Sequence, residues 1–276
     1  MPATAGDALQ QARARLVTTS RNPRRDAELL LAHVLRCDLV ALLAHPERPL
    51  SAPEATRYES VIMRRLGSEP MQYITGQQEF YGLAFEVSPD VLIPRPETEH
   101  LVEAVLKHVK PNASIIDVGT GSGAIAVALA HALPQAQVTA VDLSPAALQV
   151  ARRNAQRNAV SDRVTFLQSD LLVAVEGGDF DAIVSNPPYV ADAEVLEPQV
   201  SNYEPHAALY AGPTGLEVYE RLVPQAGKLL KPQGWLLLEI GSGQQAAVEA
   251  LLHDWSALSF VRDLQGIPRV IQAQKS

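Results

Sequence analysis

The stretch Ser114-Ile-Ile-Asp117-Val-Gly119-Thr-Gly121-Ser-Gly123-Ala-Ile-Ala-Val127 decides the fold. Its first five residues, Ser114–Val118, have an apolar centre and predict a short buried strand. Glycine then recurs at every second position, and Gly123–Ala132 reads as a helix. Glycines permit a tight turn and let a ligand lie against bare backbone. Strand, glycine loop and helix in succession are the plan of a nucleotide-binding turn, which several cofactor classes share.

Downstream of this turn, strand and helix patterns alternate. Strands are predicted over Gln137–Leu143, Arg163–Gln168, Asp181–Ser185, Gly234–Ile240, Leu258–Leu264 and Arg269–Gln274. Helices are predicted over Ser144–Asn158, Gly215–Leu230 and Gly243–Leu252. Such alternation implies a parallel, doubly wound α/β sheet. Only the short turn Gln265-Gly-Ile-Pro268 separates the last two strands, so they are expected to be antiparallel. A seven-stranded, Rossmann-like mixed sheet with one reversed strand near its C-terminal end resembles the class I methyltransferases. The glycine spacing, Gly-x-Gly-x-Gly rather than Gly-x-Gly-x-x-Gly, favours S-adenosylmethionine over a dinucleotide. Asp117, two residues before the first glycine, is similar to the acid of the methyltransferase motif.

Upstream, residues 1–76 read as a small helical bundle. Leu9, Ala12 and Leu16 recur at helix spacing, as do Ala27, Leu30, Leu31, Val34 and Leu35. Asn22-Pro23 and Ser51-Ala-Pro53-Glu54 are helix starts, the first through an Asn cap and the second through a capping box. Residues 77–95 turn extended, with Phe80, Tyr81, Leu83, Phe85 and Val87 followed by Val91–Ile93, and are expected to form a β-hairpin linker. Pro96 is placed to open a helix over Glu97–Lys110, and residues 96–276 form the expected cofactor-binding catalytic domain.

The net charge of −8 is uneven. Residues 1–76 hold ten Arg, no Lys and eight acidic residues, a balance of +2. Residues 77–276 hold 13 basic and 23 acidic residues, a balance of −10. The acidic body argues against tight nonspecific nucleic-acid binding, and the Arg excess suggests a docking surface on the helical domain. A single cysteine, Cys37, excludes an internal disulfide and a cysteine-based metal cluster. No metal ligand set is expected. The apolar runs are short of a membrane span and the start lacks a secretory pattern, so a cytoplasmic location is expected.

Several polar residues fall at strand ends. Asp142 is placed to accept both ribose hydroxyls of an adenosine, in either cofactor class. Asp170 is placed to accept from an adenine amine and Leu171 to cover the ring. The loop contributes Gly119, Thr120, Gly121, Ser122 and Gly123. After the fourth strand comes Asn186-Pro187-Pro188-Tyr189. An amide nitrogen, or the exocyclic amine of a base, is a poor nucleophile because its lone pair is delocalised. Accepting both of its N–H bonds while aiming the lone pair at a methyl group overcomes this. The Asn186 side-chain oxygen can accept one N–H and the Pro187 carbonyl the other. The prolines stiffen the loop by fixing φ, and Tyr189 can pack on a planar group. Positioning and electrostatics then supply most of the catalysis. The motif itself leaves adenine N6, guanine N2 and glutamine N5 open.

The flanking segments narrow that choice. Tyr73-Ile-Thr-Gly76, Glu79-Phe-Tyr-Gly82, Val91-Leu-Ile-Pro-Arg-Pro-Glu-Thr-Glu99, Glu204-Pro205, Ala208-Leu-Tyr-Ala-Gly212 and Leu238-Glu-Ile-Gly241 resemble those of the release-factor glutamine methyltransferases, the HemK/PrmC family. The resemblance implies methylation of N5 of the Gln in the Gly-Gly-Gln motif of peptide chain release factors 1 and 2. It implies S-adenosylmethionine as donor, S-adenosylhomocysteine as product and no metal. By position it gives Gly119–Gly123, Asp142, Leu171 and Asn186 to the cofactor. It gives Asn186, Pro187, Pro188 and Tyr189 to the substrate, with Arg95 and Glu97 shaping the pocket entrance. A monomer without a nucleic-acid substrate is the corresponding expectation; preference between the two release factors is not legible.

Overall fold

The computed structural model describes residues 4–276, so Met1–Ala3 of the helical segment lie outside the described residues. The chain forms two compact units. The first comprises the residues up to Gly76 together with Leu196–Tyr203, and the second comprises Gln77–Val195 and Glu204–Ser276.

The first unit is helical: α1 (Ala5–Leu16), α2 (Pro23–Leu35), α3 (Leu39–Ala44), α4 (Ala52–Leu66) and α5 (Met71–Thr75). Ala5, Ala8, Ala12 and Leu16 bury one face of α1 against Ala27, Leu30 and Leu31 of α2 and Tyr58 and Ile62 of α4. Small residues on α1 let the helices approach closely. The Tyr58 hydroxyl donates to the Ala27 carbonyl at 3.0 Å, satisfying a polar tip inside that core. The Glu54 carboxylate accepts from the Ser51 N–H at 2.8 Å, as the capping box predicts. Asn22 differs: its side chain makes no cap bond, and its backbone N–H takes the Ser20 hydroxyl at 3.0 Å. Pro23 opens α2 without it. Tyr203 and Glu197 tie the later segment into this unit, through Tyr203 Oη to the Gly67 carbonyl at 2.7 Å and an ion pair with Arg21.

The second unit opens with an antiparallel hairpin, β1 (Gln77–Phe80) and β2 (Leu83–Glu86). Phe80 and Phe85 are fully buried in the core beside the sheet, so the hairpin is an integral layer of this unit. Tyr81 lies in the turn at φ 52° rather than in a strand. Val91 and Ile93 are buried, but the segment forms no strand. Pro96–Thr98 makes one 3-10 turn before α6 (Glu99–His108).

There follow β3 (Ser114–Val118), α7 (Ala124–Ala132), β4 (Gln137–Asp142), α8 (Pro145–Arg157), β5 (Val164–Gln168) and β6 (Phe180–Ser185). A short parallel pair, β7 (Val190–Ala191) and β8 (Tyr210–Gly212), flanks α9 (Pro198–Ser201) in sequence. The chain ends with α10 (Glu217–Leu229), β9 (Leu230–Glu239), α11 (Gln245–Leu251), β10 (Ser256–Arg262) and β11 (Pro268–Gln274). Seven strands form one mixed sheet in the order β10-β11-β9-β6-β3-β4-β5. All neighbours are parallel except at β11, which runs against both β9 and β10. The strand boundaries match the sequence reading closely for β3 to β6. β9 starts four residues before Gly234, and β10 sits two residues earlier than predicted.

From β3 the chain winds outward through β4 to β5, then returns to place β6 on the other side of β3. The crevice at such a reversal, outside the carboxyl ends of the strands, is where open α/β sheets bind ligands. The glycine loop leaves β3 and Asn186 leaves β6 at that point, with Val118 paired to Ser185 in the register.

Candidate active site

Asp117 ends β3 fully buried, beneath the glycine loop. Its Oδ2 accepts from the Thr120 hydroxyl at 2.6 Å and from the Ala126 N–H at 3.1 Å, in the first turn of α7. Burial pushes this carboxyl up to about 7 against those two donors, and Oδ1 has no partner. Asp117 therefore braces the loop from below. The Gly119 and Thr120 N–H groups both donate to the Val141 carbonyl at 2.9 Å, strapping the loop to β4.

The glycines do separate work. Gly119 and Gly121 have φ of 71° and 54°, and a Cβ added at either would meet only open space. Gly123, at φ 81°, instead faces α8, where a Cβ would come 3.0 Å from that of Ala151. Thr120 and Ser122 are buried.

Asp142 ends β4. Its Oδ2 accepts from the Gly121 N–H and its Oδ1 from the Ser144 N–H, both at 2.8 Å. Burial raises its pKa, opposed by those backbone donors. Ser144 then caps α8 by accepting from the Ala147 N–H at 3.2 Å. Leu171, after β5, takes the left-handed conformation at φ 52° and packs against the core that holds Ile116, Val141 and Leu172. Asp170 is exposed and its Oδ2 accepts from Arg221 at 2.6 Å. An adenine amine would share that carboxylate with a guanidinium.

Asn186 leaves β6 with its Nδ2 donating to the Thr98 hydroxyl oxygen at 3.2 Å. Pro187 is buried, while Pro188 and Tyr189 are half-buried. Burial holds the Tyr189 phenol at about 12, so it stays protonated. Its backbone carbonyl accepts from Gln244 Nε2 at 2.9 Å, and Gln244 Oε1 accepts from the Gly241 N–H at 3.0 Å. The Ser185 hydroxyl donates to the Val118 carbonyl at 2.7 Å, locking the two loop-bearing strand ends together. Arg95 pairs with Glu204 at 2.5 Å, and Glu204 also accepts from the Ile93 N–H at 3.1 Å.

The sheet thus gathers Asp117, the glycine loop and Asp142 on one side of the crevice and Asn186–Tyr189 on the other. Four supporting residues have roles that sequence reasoning missed. Thr98 and Glu239 stand behind Asn186, and Gln244 clamps Tyr189. Asn154, fully buried in α8, donates to the Ser122 and Glu86 carbonyls and accepts from the Glu86 N–H. A charged residue inside the apolar strand run Leu236–Ile240 was the available signal for Glu239.

The strand order, with a reversed penultimate position and both loops at the switch point, defines a class I S-adenosylmethionine-dependent methyltransferase. A family model described as PrmC N-terminal domain matches residues 7–76, and one described as Methyltransferase small domain matches residues 96–203. A curated protein from Koribacter versatilis named release factor glutamine methyltransferase is 51% identical, covering 92% of each chain. One of the same name from Geobacter sulfurreducens is 44% identical, covering 91% of this chain and 89% of that one. The chain belongs to the release factor glutamine methyltransferase family. Among solved structures, a methyltransferase from Pyrococcus furiosus superposes with a TM-score of 0.54 at 19% identity, covering 80% of this chain and 99% of that one. A 16S rRNA N2 G1207 methyltransferase of T. thermophilus, in complex with AdoMet and guanosine, gives 0.55 at 22%, covering 72% and 50%. At those identities the likeness is one of fold.

Proposed function

We infer that the protein transfers a methyl group from S-adenosylmethionine to the side-chain nitrogen of the Gln in the Gly-Gly-Gln motif of peptide chain release factors 1 and 2. The observation that carries this reading is the commitment of Asn186 Nδ2 to Thr98, which leaves Oδ1 as the acceptor end beside the glycine loop. The open backbone at Gly119 and Gly121, the buried Oδ1 of Asp117 and the Asp142 carboxylate suit a cofactor with an ammonium group and a ribose. When bound, S-adenosylmethionine supplies an electrophilic methyl group on a sulfonium.

In this reading Asn186 Oδ1 and the Pro187 carbonyl accept the two amide N–H bonds of the substrate Gln. That turns the nitrogen lone pair toward the methyl group without prior removal of a proton. Pro187 and Pro188 fix φ, so the acceptors are held before the substrate arrives. Tyr189, protonated and anchored by Gln244, packs on the planar amide. Arg95, held by Glu204, shapes the entrance. With S-adenosylmethionine bound, methyl transfer would release S-adenosylhomocysteine, and the methylated nitrogen would pass its surplus proton to water.

The helical unit is the docking surface for the body of the release factor, away from the tripeptide. Arg13, Arg21, Arg24 and Arg25 share one surface depression there, beside the exposed Val17. Arg13→Glu with Arg25→Glu raises KM for a full release factor and leaves kcat and cofactor affinity alone. An unchanged KM would remove this face from docking.

The decisive experiment is mass spectrometry of a release factor after incubation with the protein and S-adenosylmethionine. A gain of about 14 Da on the tripeptide Gln is expected, because a CH₃ group replaces one hydrogen, a net CH₂. Label appearing only on nucleic acid would refute the reading.

A further inference from the structure

Glu239 ends β9 with its side chain almost wholly buried, and its Oε2 has no partner. A buried carboxyl is costly unless paired, so its presence beside Asn186 calls for a reason. The hydroxyl of Thr98, itself 4% exposed, is the group that most holds that carboxyl's pKa down against burial. Thr98 Oγ1 in turn accepts from Asn186 Nδ2 at 3.2 Å. Glu239, Thr98 and Asn186 thus act on one another in a row, and the row has a direction.

An ionised carboxylate only accepts, whereas a hydroxyl can donate or accept and a carboxamide offers both ends. With Glu239 as the terminus, Thr98 donates its one proton to Glu239 and keeps its lone pairs for Asn186. Asn186 must then present its NH₂ to Thr98, with Oδ1 turned away. Without that terminus the Thr98 hydroxyl is free to donate to Oδ1, and the carboxamide can flip.

We propose that Glu239, acting through Thr98, is a positioning residue that fixes which end of the Asn186 carboxamide faces the substrate nitrogen. The proposal rests on the reading of Asn186 as an N–H acceptor. It also gives the site a pH dependence. Burial raises the Glu239 carboxyl to about 7; Glu97 adds to the rise, while Arg269 and Arg95 oppose it. The Tyr189 and Tyr219 phenols also face it and stay protonated well above that range. A protonated Glu239 can donate to Thr98 and loses its directing power, so kcat rises with pH through about 7.

The test uses the full chain with Glu239→Gln, Thr98→Val and Thr98→Ser. Two readouts are needed: the side-chain ¹H–¹⁵N amide resonances of Asn186 with S-adenosylhomocysteine present, and kcat and KM on a release factor. Glu239→Gln and Thr98→Val are expected to move the Asn186 resonances and lower kcat by roughly tenfold to a hundredfold, with KM changing far less. Thr98→Ser, which keeps the hydroxyl, is expected to restore both. Wild-type kcat climbs through neutral pH, and the Glu239→Gln profile is flat there. Glu239→Gln is nearly isosteric and carries the test if Thr98→Val does not fold. Unmoved Asn186 resonances together with an unchanged pH profile would overturn the proposal. The resonance arm uses no release factor, so it still decides the matter if the wild type leaves release factor unmodified, an outcome that would instead sink the glutamine reading.

Discussion

The carboxylate of Asp142 holds the Gly121 N–H at 2.8 Å, so the acid at the end of β4 shapes the loop at the end of β3. The same side chain is the one proposed to accept the ribose hydroxyls of the cofactor. Asp142→Ala removes two charge-assisted bonds to backbone. Cofactor affinity should fall by about 2 kcal/mol, roughly thirtyfold, by isothermal titration calorimetry. Unchanged affinity would put the ribose elsewhere.

Asn186→Ala deletes the side-chain acceptor while Pro187 and the glycine loop remain. Loss of one preorganised group of this kind costs roughly 10²–10³ in kcat. Single-turnover methyl transfer should fall by at least that much, with much of the cofactor affinity retained. Intact turnover would remove Asn186 from the mechanism.

Asn154 joins three backbone groups of the loop and hairpin with no exposure to solvent. Asn154→Ala strands buried donors and acceptors, each costing about 1–3 kcal/mol. Urea unfolding should show a loss of roughly 2–4 kcal/mol at unchanged m. A loss below about 0.5 kcal/mol, the usual size of a surface effect, would mean that those groups find other partners.

The pH dependence of stability follows from the same buried carboxyl that directs Asn186. Burial raises the Glu239 carboxyl from its ordinary 4.5 to about 7 in the folded protein. Below the unfolded value both states hold the proton and no penalty arises. As pH rises toward about 7 the unfolded state ionises first, so stability falls, and above that the penalty is constant. At pH 8 Glu239→Gln should therefore be more stable than the wild type, relative to pH 4, by on the order of 3 kcal/mol. Equal pH slopes for the two proteins would show that Glu239 ionises freely. The half-buried carboxylates Glu54, Asp181 and Asp263, whose pKa values are lowered by hydrogen bonds and neighbouring cations, act oppositely and lose their contribution as pH falls.

The strands β3 to β6 were legible because buried parallel strands read as short apolar runs between glycines, prolines and caps. Asn186 and Asp142 could be singled out as candidates because they are polar residues at strand ends, and the structure puts both at the carboxyl edge of the sheet. Thr98 and Gln244 were not, because an isolated Thr or Gln carries no periodicity and its value lies in contacts far along the chain. Asn22 looked like a cap and is not one, since Pro23 already fixes the first turn and Ser20 takes the Asn22 N–H. Tyr81 looked like a strand residue because its aromatic neighbours alternate, but Gly82 beside it sets a turn.

The excursion of Leu196–Tyr203 into the helical unit gives the protein an unusual wiring. The polypeptide passes between the units three times, at residues 76/77, 195/196 and 203/204. The helical unit thus takes in eight residues from the stretch that follows the Asn186–Tyr189 loop. Insertions or deletions tolerated between ordinary tandem domains would, between Val195 and Glu204, change the reach of a bridge that has both ends tied to the same sheet.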